Sequence, residues 1–266
     1  MKEKIEITRK AFTLVELLVV IAIIAILAGI LLPVIAKSKT KAKVATARFS
    51  IKDLGAAIKA YRTDYQRFPI PANYPRNMFG DASVDPVPLQ ALANRNAKYK
   101  IPFPTHSNNN QPTRNSDIMY ILMNDVNANG SNPGGSRNPK KNIYLSPKEL
   151  GPENSAKSLR KTGVSDARIY RDPFGNRFKI SMDLNRDGYC FDYYYGSKFG
   201  GTFAEEGLIT HQAKVSWNGH LLNGQDLQYS AFKGDVMIWT AGPDRVVEGM
   251  GQDANNPDID NIKSWD

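Results

Sequence analysis

Hydrophobic and polar positions divide the chain into three regimes. From Leu17 to Ala36, 20 consecutive positions carry no charged or strongly polar side chain. As a helix rising about 1.5 Å per residue, that run covers about 30 Å, the thickness of a bilayer's hydrocarbon core. Beyond it, apolar or aromatic residues recur at Val44, Ala47, Ile51, Leu54, Ile58, Tyr61 and Tyr65. Intervals alternating between three and four make one stripe on a helix. The two regimes together predict a single helix from Phe12 to Tyr65, roughly 80 Å long, ending before Pro69. Pro33 removes one backbone donor and crowds the Gly29 carbonyl, so a kink or local melting is expected near Gly29–Pro33.

The third regime has shorter periods and more punctuation. The proline-rich stretch between Phe68 and Pro88 predicts an extended surface loop. Leu89–Tyr99 is a candidate short helix, and Ile101–Asn115 reads as a loop. Ser116 stands as an N-cap for the apolar helix DIMYILMND. Asn127–Lys141 and Gly151–Ser165 read as loops, with a short extended or helical piece at Tyr144–Leu150. Strand patterns come late. Arg168–Arg171 and Arg177–Met182 flank Asp172-Pro-Phe-Gly-Asn176, a length and composition suited to a hairpin. Tyr189–Tyr195, Leu208–Trp217 and Asp235–Thr240 read as further strands, with Asn218-Gly219 as a tight turn. A long helix followed by loops and an antiparallel sheet is an α+β order.

Three readings of the N-terminus compete. A secretory signal has a shorter apolar core than this one, although Val34-Ile35-Ala36 before Lys37 would serve as a small-residue cleavage site. A plain signal anchor fits the length but leaves Glu16 in the apolar zone, where a carboxylate costs a few kcal/mol unless it reaches the interface or a partner. The third reading rests on the residues K-A-F-T-L-V-E-L-L-V-V-I-A-I-I-A-I-L-A. They resemble the N-terminus of a type IV prepilin or a type II secretion pseudopilin. The resemblance implies cleavage by a prepilin peptidase between Ala11 and Phe12, where the family usually has Gly before the cut, followed by N-methylation of Phe12. It also implies that Glu16 is the assembly glutamate, neutralising the free amine of a neighbouring subunit's Phe12, because a charge in that environment needs a partner. Lys37, Lys39, Lys41 and Lys43 follow the span and by charge bias alone favour a cytoplasmic body. The resemblance implies the opposite orientation, with those lysines near lipid headgroups.

The end of the chain extends the likeness. DPFGNRF is similar to a hairpin of the major pseudopilins, and VMIWTAGPD with NNPDIDNIKSWD is similar to their closing loop. In that family the closing loop binds calcium. The resemblance implies Asp244 and Asp258 as ligands, with Asp253 and Asp260 as further oxygen donors; calcium takes 6–8 oxygens, so a loop rich in Asp, Asn and Gly is suitable. Two other stretches match the first half of an EF-hand loop: Asp183-Leu-Asn185-Arg-Asp187-Gly188, and more weakly Asp125-Val-Asn127-Ala-Asn129-Gly130. Tyr194 and Ser136 stand where such a loop needs its Glu, so neither is a complete hand. Asp192 is a candidate extra donor to the first, and turn chemistry alone explains both.

Charge and cysteine content narrow the rest. The net charge is +9; four basic against two acidic residues before Ala11 leave +7 for the remainder. That balance suits anionic lipid, nucleic acid or acidic polysaccharide without choosing among them, and equally a solvated surface. Cys190 is the single cysteine, so no intrachain disulfide forms. His106, His211 and His220 have no metal-ligand spacing, and no nucleophile elbow or phosphate-binding glycine loop is present. No catalytic residue is expected and the chain does not read as an enzyme. Cys190 reads as a buried thiol between strands. Tyr189, Tyr193, Tyr194 and Tyr195 read as sheet cover, or alternatively as a stacking platform.

The expected organisation is a leader at 1–11, a membrane-spanning half-helix at 12–36, an amphipathic half-helix at 37–66 and a globular periplasmic domain at 67–266. The resemblance implies a structural subunit of a pseudopilus or pilus, single-pass in the bacterial inner membrane with its body in the periplasm or an extracellular filament. Implied partners are copies of itself, related minor pilins, the prepilin peptidase, an inner-membrane assembly platform and membrane lipid; calcium is the implied cofactor, and nucleic acid is not an expected partner. Within the class the alternative is a type IV pilin for motility, adhesion or DNA uptake. Outside it, the alternative is a membrane-anchored periplasmic binding module or enzyme that never polymerises.

Overall fold

The computed structural model describes residues 14–72, 82–84, 114–126, 131–152, 161–192, 209–217, 220–243, 245 and 261–265. Residues 1–42 and 43–266 form two compact units. Helix α1 runs Leu14–Tyr65. It is helical throughout, Pro33 included, so the local melting expected at Gly29–Pro33 does not occur. Membrane-type helices accommodate such a proline when the freed carbonyl is shielded by neighbouring groups. The large apolar residues between Leu14 and Ile35 are all exposed.

In the second unit α1 supplies one wall of the core. Ala47, Ile51, Leu54, Ile58 and Tyr61 are buried, and Val44 and Tyr65 are partly buried against the same cluster. These are the stripe positions predicted from the 3–4 spacing. They pack with Ile118, Met119, Ile121 and Leu122 and with Phe178, Ile180 and Ile238. Helix α2, Asn115–Leu122, contributes the first four of those partners. It begins one residue before the predicted Ser116 cap and stops at Leu122. Its entry is fixed by Asp117, whose Oδ2 accepts from the Arg114 backbone N–H at 3.1 Å and whose Oδ1 accepts from Ser131 Oγ at 2.9 Å. Asn115 is fully buried; its Nδ2 donates to the carbonyls of Tyr170 (2.8 Å) and Phe178 (3.1 Å), and its Oδ1 accepts from Tyr170 N–H (3.1 Å). A buried amide that fills its hydrogen-bonding capacity in this way docks α2 to the sheet in one register.

Three sheets follow. The first contains β1 (Ala82–Val84), β5 (Lys179–Met182), β9 (Val236–Thr240) and β10 (Ile262–Lys263), in the order β1-β5-β9-β10. All its pairings are antiparallel. The second, β2 (Glu149–Gly151), β3 (Gly163–Ser165) and β4 (Tyr170–Arg171), has a parallel β2–β3 pair, which no strand pattern indicated. Gly163 sits where any side chain would collide with the Lys148 carbonyl, at φ +148°. Only glycine meets both demands. The third joins β6 (Tyr189–Cys190), β8 (His220–Lys233) and β7 (Ile209–Trp217). Trp217 pairs with His220, so β7 and β8 form an antiparallel hairpin; the predicted turn residues Asn218-Gly219 lie outside the described residues.

The arrangement is α+β: a long N-terminal apolar helix with antiparallel sheets toward the C-terminus. The predicted hairpin at Asp172–Asn176 is present but short: Arg171 and Arg177 bridge antiparallel, Asp172 N–H donates to the Asn176 carbonyl and Phe178 N–H to the Tyr170 carbonyl, and β4 and β5 then enter different sheets. Three predicted elements need correction. The proline-rich loop contains β1, the loop before Ser165 ends in β3, and the closing loop contains β10. The helix candidate at Leu89–Tyr99 lies outside the described residues.

Candidate functional site

The candidate site begins in α1, whose membrane-type stretch is apolar around its full circumference. Leu17, Leu18, Val19 and Val20, successive residues about 100° apart on a helix, point to different sides, and each is exposed. A helix that is hydrophobic on every side belongs in lipid or between other apolar helices. By length and composition it suffices to cross a membrane. Glu16 lies in its first turn. A carboxylate there also complements the positive end of the helix dipole. Ala11 and Phe12 lie outside the described residues.

The other end of α1 is locked by side chains. Tyr61 Oη donates to the Arg137 carbonyl. Tyr65 Oη donates to Asn138 Oδ1 at 2.8 Å and accepts from Lys140 N–H at 2.9 Å. Tyr144 Oη donates to Asp64 Oδ2 at 2.6 Å. The rings of Tyr61, Tyr65 and Tyr144 lie with centroids 4.6 to 6.4 Å apart, within the range of favourable tilted and edge contacts. Burial pushes the Tyr144 hydroxyl well above its ordinary range, and the bond to Asp64 adds to that. The same bond holds the Asp64 carboxyl below its ordinary value. Loop 131–144 is thereby strapped across the end of the helix.

Comparison with known proteins bears on the other end. Residues 8–32 match the model of the prokaryotic N-terminal methylation motif. The chain carries the prepilin-type signature. No curated protein and no solved structure matches the chain. The signature supports a pilin-like or pseudopilin-like subunit and implies processing by a prepilin peptidase and pilus-type assembly; among the described residues α1 is the one helix long and apolar enough to cross a membrane. Proteins with this motif are structural rather than enzymatic.

In this prepilin-type chain the predicted cation loops divide. Asp183 is buried; its Oδ1 accepts from Arg186 N–H at 2.6 Å and its Oδ2 from Gly188 N–H at 2.9 Å. Burial raises its carboxyl above the ordinary value and outweighs those two amides. Asn185 Nδ2 donates to Asp187 Oδ2 at 2.8 Å, and Asp187 Oδ1 accepts from Tyr189 N–H at 2.8 Å. These bonds make consecutive side-chain-to-backbone turns, with Arg186 at φ 63° and Gly188 at φ 85°. Asp183, Asn185 and Asp187 each accept backbone N–H groups of the loop itself. Among the described residues no group of three acidic, His or Cys side chains is placed to hold a metal. Asp192, the candidate extra donor, accepts at Oδ2 from Ser181 Oγ (2.9 Å) and Trp239 Nε1 (3.1 Å) in the β5–β9 sheet. Asp125 pairs with Arg168 at 2.8 Å, which also reaches Glu149 at 2.8 Å; Asn127 and Asn129 lie outside the described residues. So do Asp244, Asp253, Asp258 and Asp260.

The residue that sequence reasoning passed over is Asp172. Its carboxylate is completely buried. Oδ1 accepts from Phe174 N–H and Asn176 N–H, each at 2.8 Å. Oδ2 accepts from Asn176 Nδ2 at 3.0 Å and Thr240 Oγ1 at 2.8 Å. Asn176 Nδ2 also donates to the Gly242 carbonyl at 2.8 Å. The DPFGN loop is thus a clamp on the end of β9, where the closing segment departs. Its tip residue Phe174 lies under the Lys43 ammonium, 5.4 Å from ring centroid to nitrogen, a cation–π contact. Cys190 is a buried thiol outside any disulfide, as expected for a packed side chain. Tyr189 is half-buried; Tyr193, Tyr194 and Tyr195 lie outside the described residues, as does His106.

Proposed function

We propose that this chain is a structural subunit of a secretion-type pseudopilus, built by packing α1 against α1 of neighbouring copies. The observation that carries the reading is the methylation motif at residues 8–32 on a helix apolar on all sides through Ile35. Such a surface is stable in lipid before assembly and among like helices after it. In this reading the peptidase cuts between Ala11 and Phe12, Phe12 is N-methylated, and its amine pairs with Glu16 of the next subunit. The body, from the lysines at 37–43 onward, lies in the periplasm or the filament. A single-chain anchor with no assembly role would need neither the signature nor Glu16. Cross-linking in whole cells that express the chain with its secretion machinery tests assembly. A ladder of multimers is expected; monomer alone would remove the reading.

Calcium at the closing segment belongs to the same proposal. What supports it is the resemblance of that segment and the way its ends are held. Thr240 and Ile262 are paired across β9 and β10, so the chain between them leaves and returns at neighbouring points. Asp244 and Asp260 stand near those two ends in sequence. If Asp244, Asp253 and Asp258 donate oxygens there, the ion closes the loop and cross-links the last strand to the sheet. Calorimetric titration of the detergent-solubilised protein is expected to give saturable heat with calcium and none with Asp258→Ala. Absence of heat at millimolar calcium would remove this part of the proposal.

A further inference from the structure

Among the described residues, two arginines at the C-terminal end of α1 have no carboxylate in an ion pair with them. Arg67 lies two residues beyond Tyr65, and Arg137 lies in the loop strapped over the helix end. Arg67 Nη2 donates to the Arg137 carbonyl at 3.1 Å, and more loosely to the Ser136 carbonyl at 3.5 Å. The Arg67 guanidinium also lies 5.7 Å from the Tyr65 ring centroid. These contacts leave Nε of Arg67 and Nε of Arg137 buried with no hydrogen-bond partner. A buried unsatisfied donor on a charged group is among the costlier features a fold can retain.

The acids nearby are already committed. Asp64 accepts from Tyr144 and, at 3.2 Å, from Asn142, and it faces Lys140 at 3.8 Å. Asp235 pairs with Arg62. A third guanidinium reaches the same segment, since Arg186 Nη2 donates to the Gln66 carbonyl at 2.8 Å. Burial and the nearby Arg67 charge lower the Arg137 guanidinium from its ordinary value, so the two charges do act on each other. The Arg137 and Ser136 carbonyls account for one nitrogen of Arg67. They account for neither Nε and for nothing in the Arg137 side chain.

We propose that Arg67 and Arg137 form a binding site for one oxyanion, a carboxylate or a phosphate. A guanidinium offers its Nε and one Nη as a parallel fork, the geometry that grips two oxygens at once. An oxyanion set between the two arginines gives both orphaned Nε atoms an acceptor and cancels their mutual repulsion. The same chemistry has two sources: a free anion in the medium, or an acidic side chain of a second copy. The second source rests on the filament reading; the site itself does not.

Inorganic phosphate is the probe, titrated into the full chain in detergent against chloride of equal ionic strength. Saturable binding of one phosphate per chain is expected, weakened at least tenfold in Arg137→Gln and to a lesser degree in Arg137→Lys, which keeps charge and loses the fork. Arg67→Gln gives the same loss and serves if Arg137→Gln does not fold by circular dichroism. No saturable binding, or equal binding by wild type and a folded variant, overturns the proposal even where filaments form normally. Filament yield in phosphate-free buffer then separates the sources. A yield lowered in Arg137→Gln assigns the site to a carboxylate of a second copy; an unchanged yield assigns it to a free anion.

Discussion

Glu16→Ala is expected to leave the protein inserted in the membrane and to abolish its incorporation into filaments. Insertion depends on the apolar surface of α1 from Leu17 to Ile35, which the substitution does not touch. Assembly, in the proposed mechanism, buries the Phe12 amine of each incoming subunit among apolar helices. Without a carboxylate that charge is uncompensated, at a cost of about 3 kcal/mol by the scale for charged groups at helix centres. This is more than a hundredfold in each addition step, and it recurs at every subunit. Glu16→Gln should fail almost as completely, because an amide accepts a hydrogen bond but carries no charge. Glu16→Asp should retain part of the yield. Membrane fractionation together with sheared-filament yield reads both halves; filaments of normal yield from Glu16→Ala would remove the pairing.

Asp172→Ala is expected to destabilise the globular unit by roughly 3–5 kcal/mol, a large share of what a domain typically has. The carboxylate is fully buried and serves four donors from Phe174, Asn176 and Thr240. Its removal strands those donors in a space that water does not readily fill, and an unsatisfied buried group costs about 1–3 kcal/mol. Asp172→Asn should be milder, because an amide keeps one acceptor oxygen but turns two hydrogens toward groups that are themselves donors. Denaturant unfolding in detergent, followed by tryptophan fluorescence, measures the loss. A change below 1 kcal/mol would mean that the clamp on β9 is dispensable.

The contrast between Ile58 and Asp172 explains what was readable in the chain. Ile58 belongs to a stripe that repeats every three or four residues for six turns, and a period that long fixes helix, face and end point. The signature around Phe12 and Glu16 is similarly local: its meaning sits in adjacent letters. Asp172 sits in DPFGN, which reads as a turn whether or not its carboxylate is buried. What makes it central is Thr240, 68 residues away, and no local pattern reports that. Asn115 escaped for the same reason, since its partners are on β4 and beside β5. Short strands such as β4 and β10, two residues each, are too brief to show a period of two. The long strand β8 was hidden by its sequence, HLLNGQDLQYSAFK, in which Asn, Gly, Gln and Asp interrupt any alternation. The loop at Asp183 shows the converse: the letters of a metal loop also write a chain of backbone turns, and Asn185 and Asp187 make those turns.

Mass spectrometry of the mature N-terminus tests most directly whether α1 is an assembly helix. A chain that starts at Phe12, with one methyl group on its amine, is the expected result. A chain that starts at Met1, or at Lys37, would contradict it: the first leaves a plain anchor, the second a secreted protein without the helix that assembly requires.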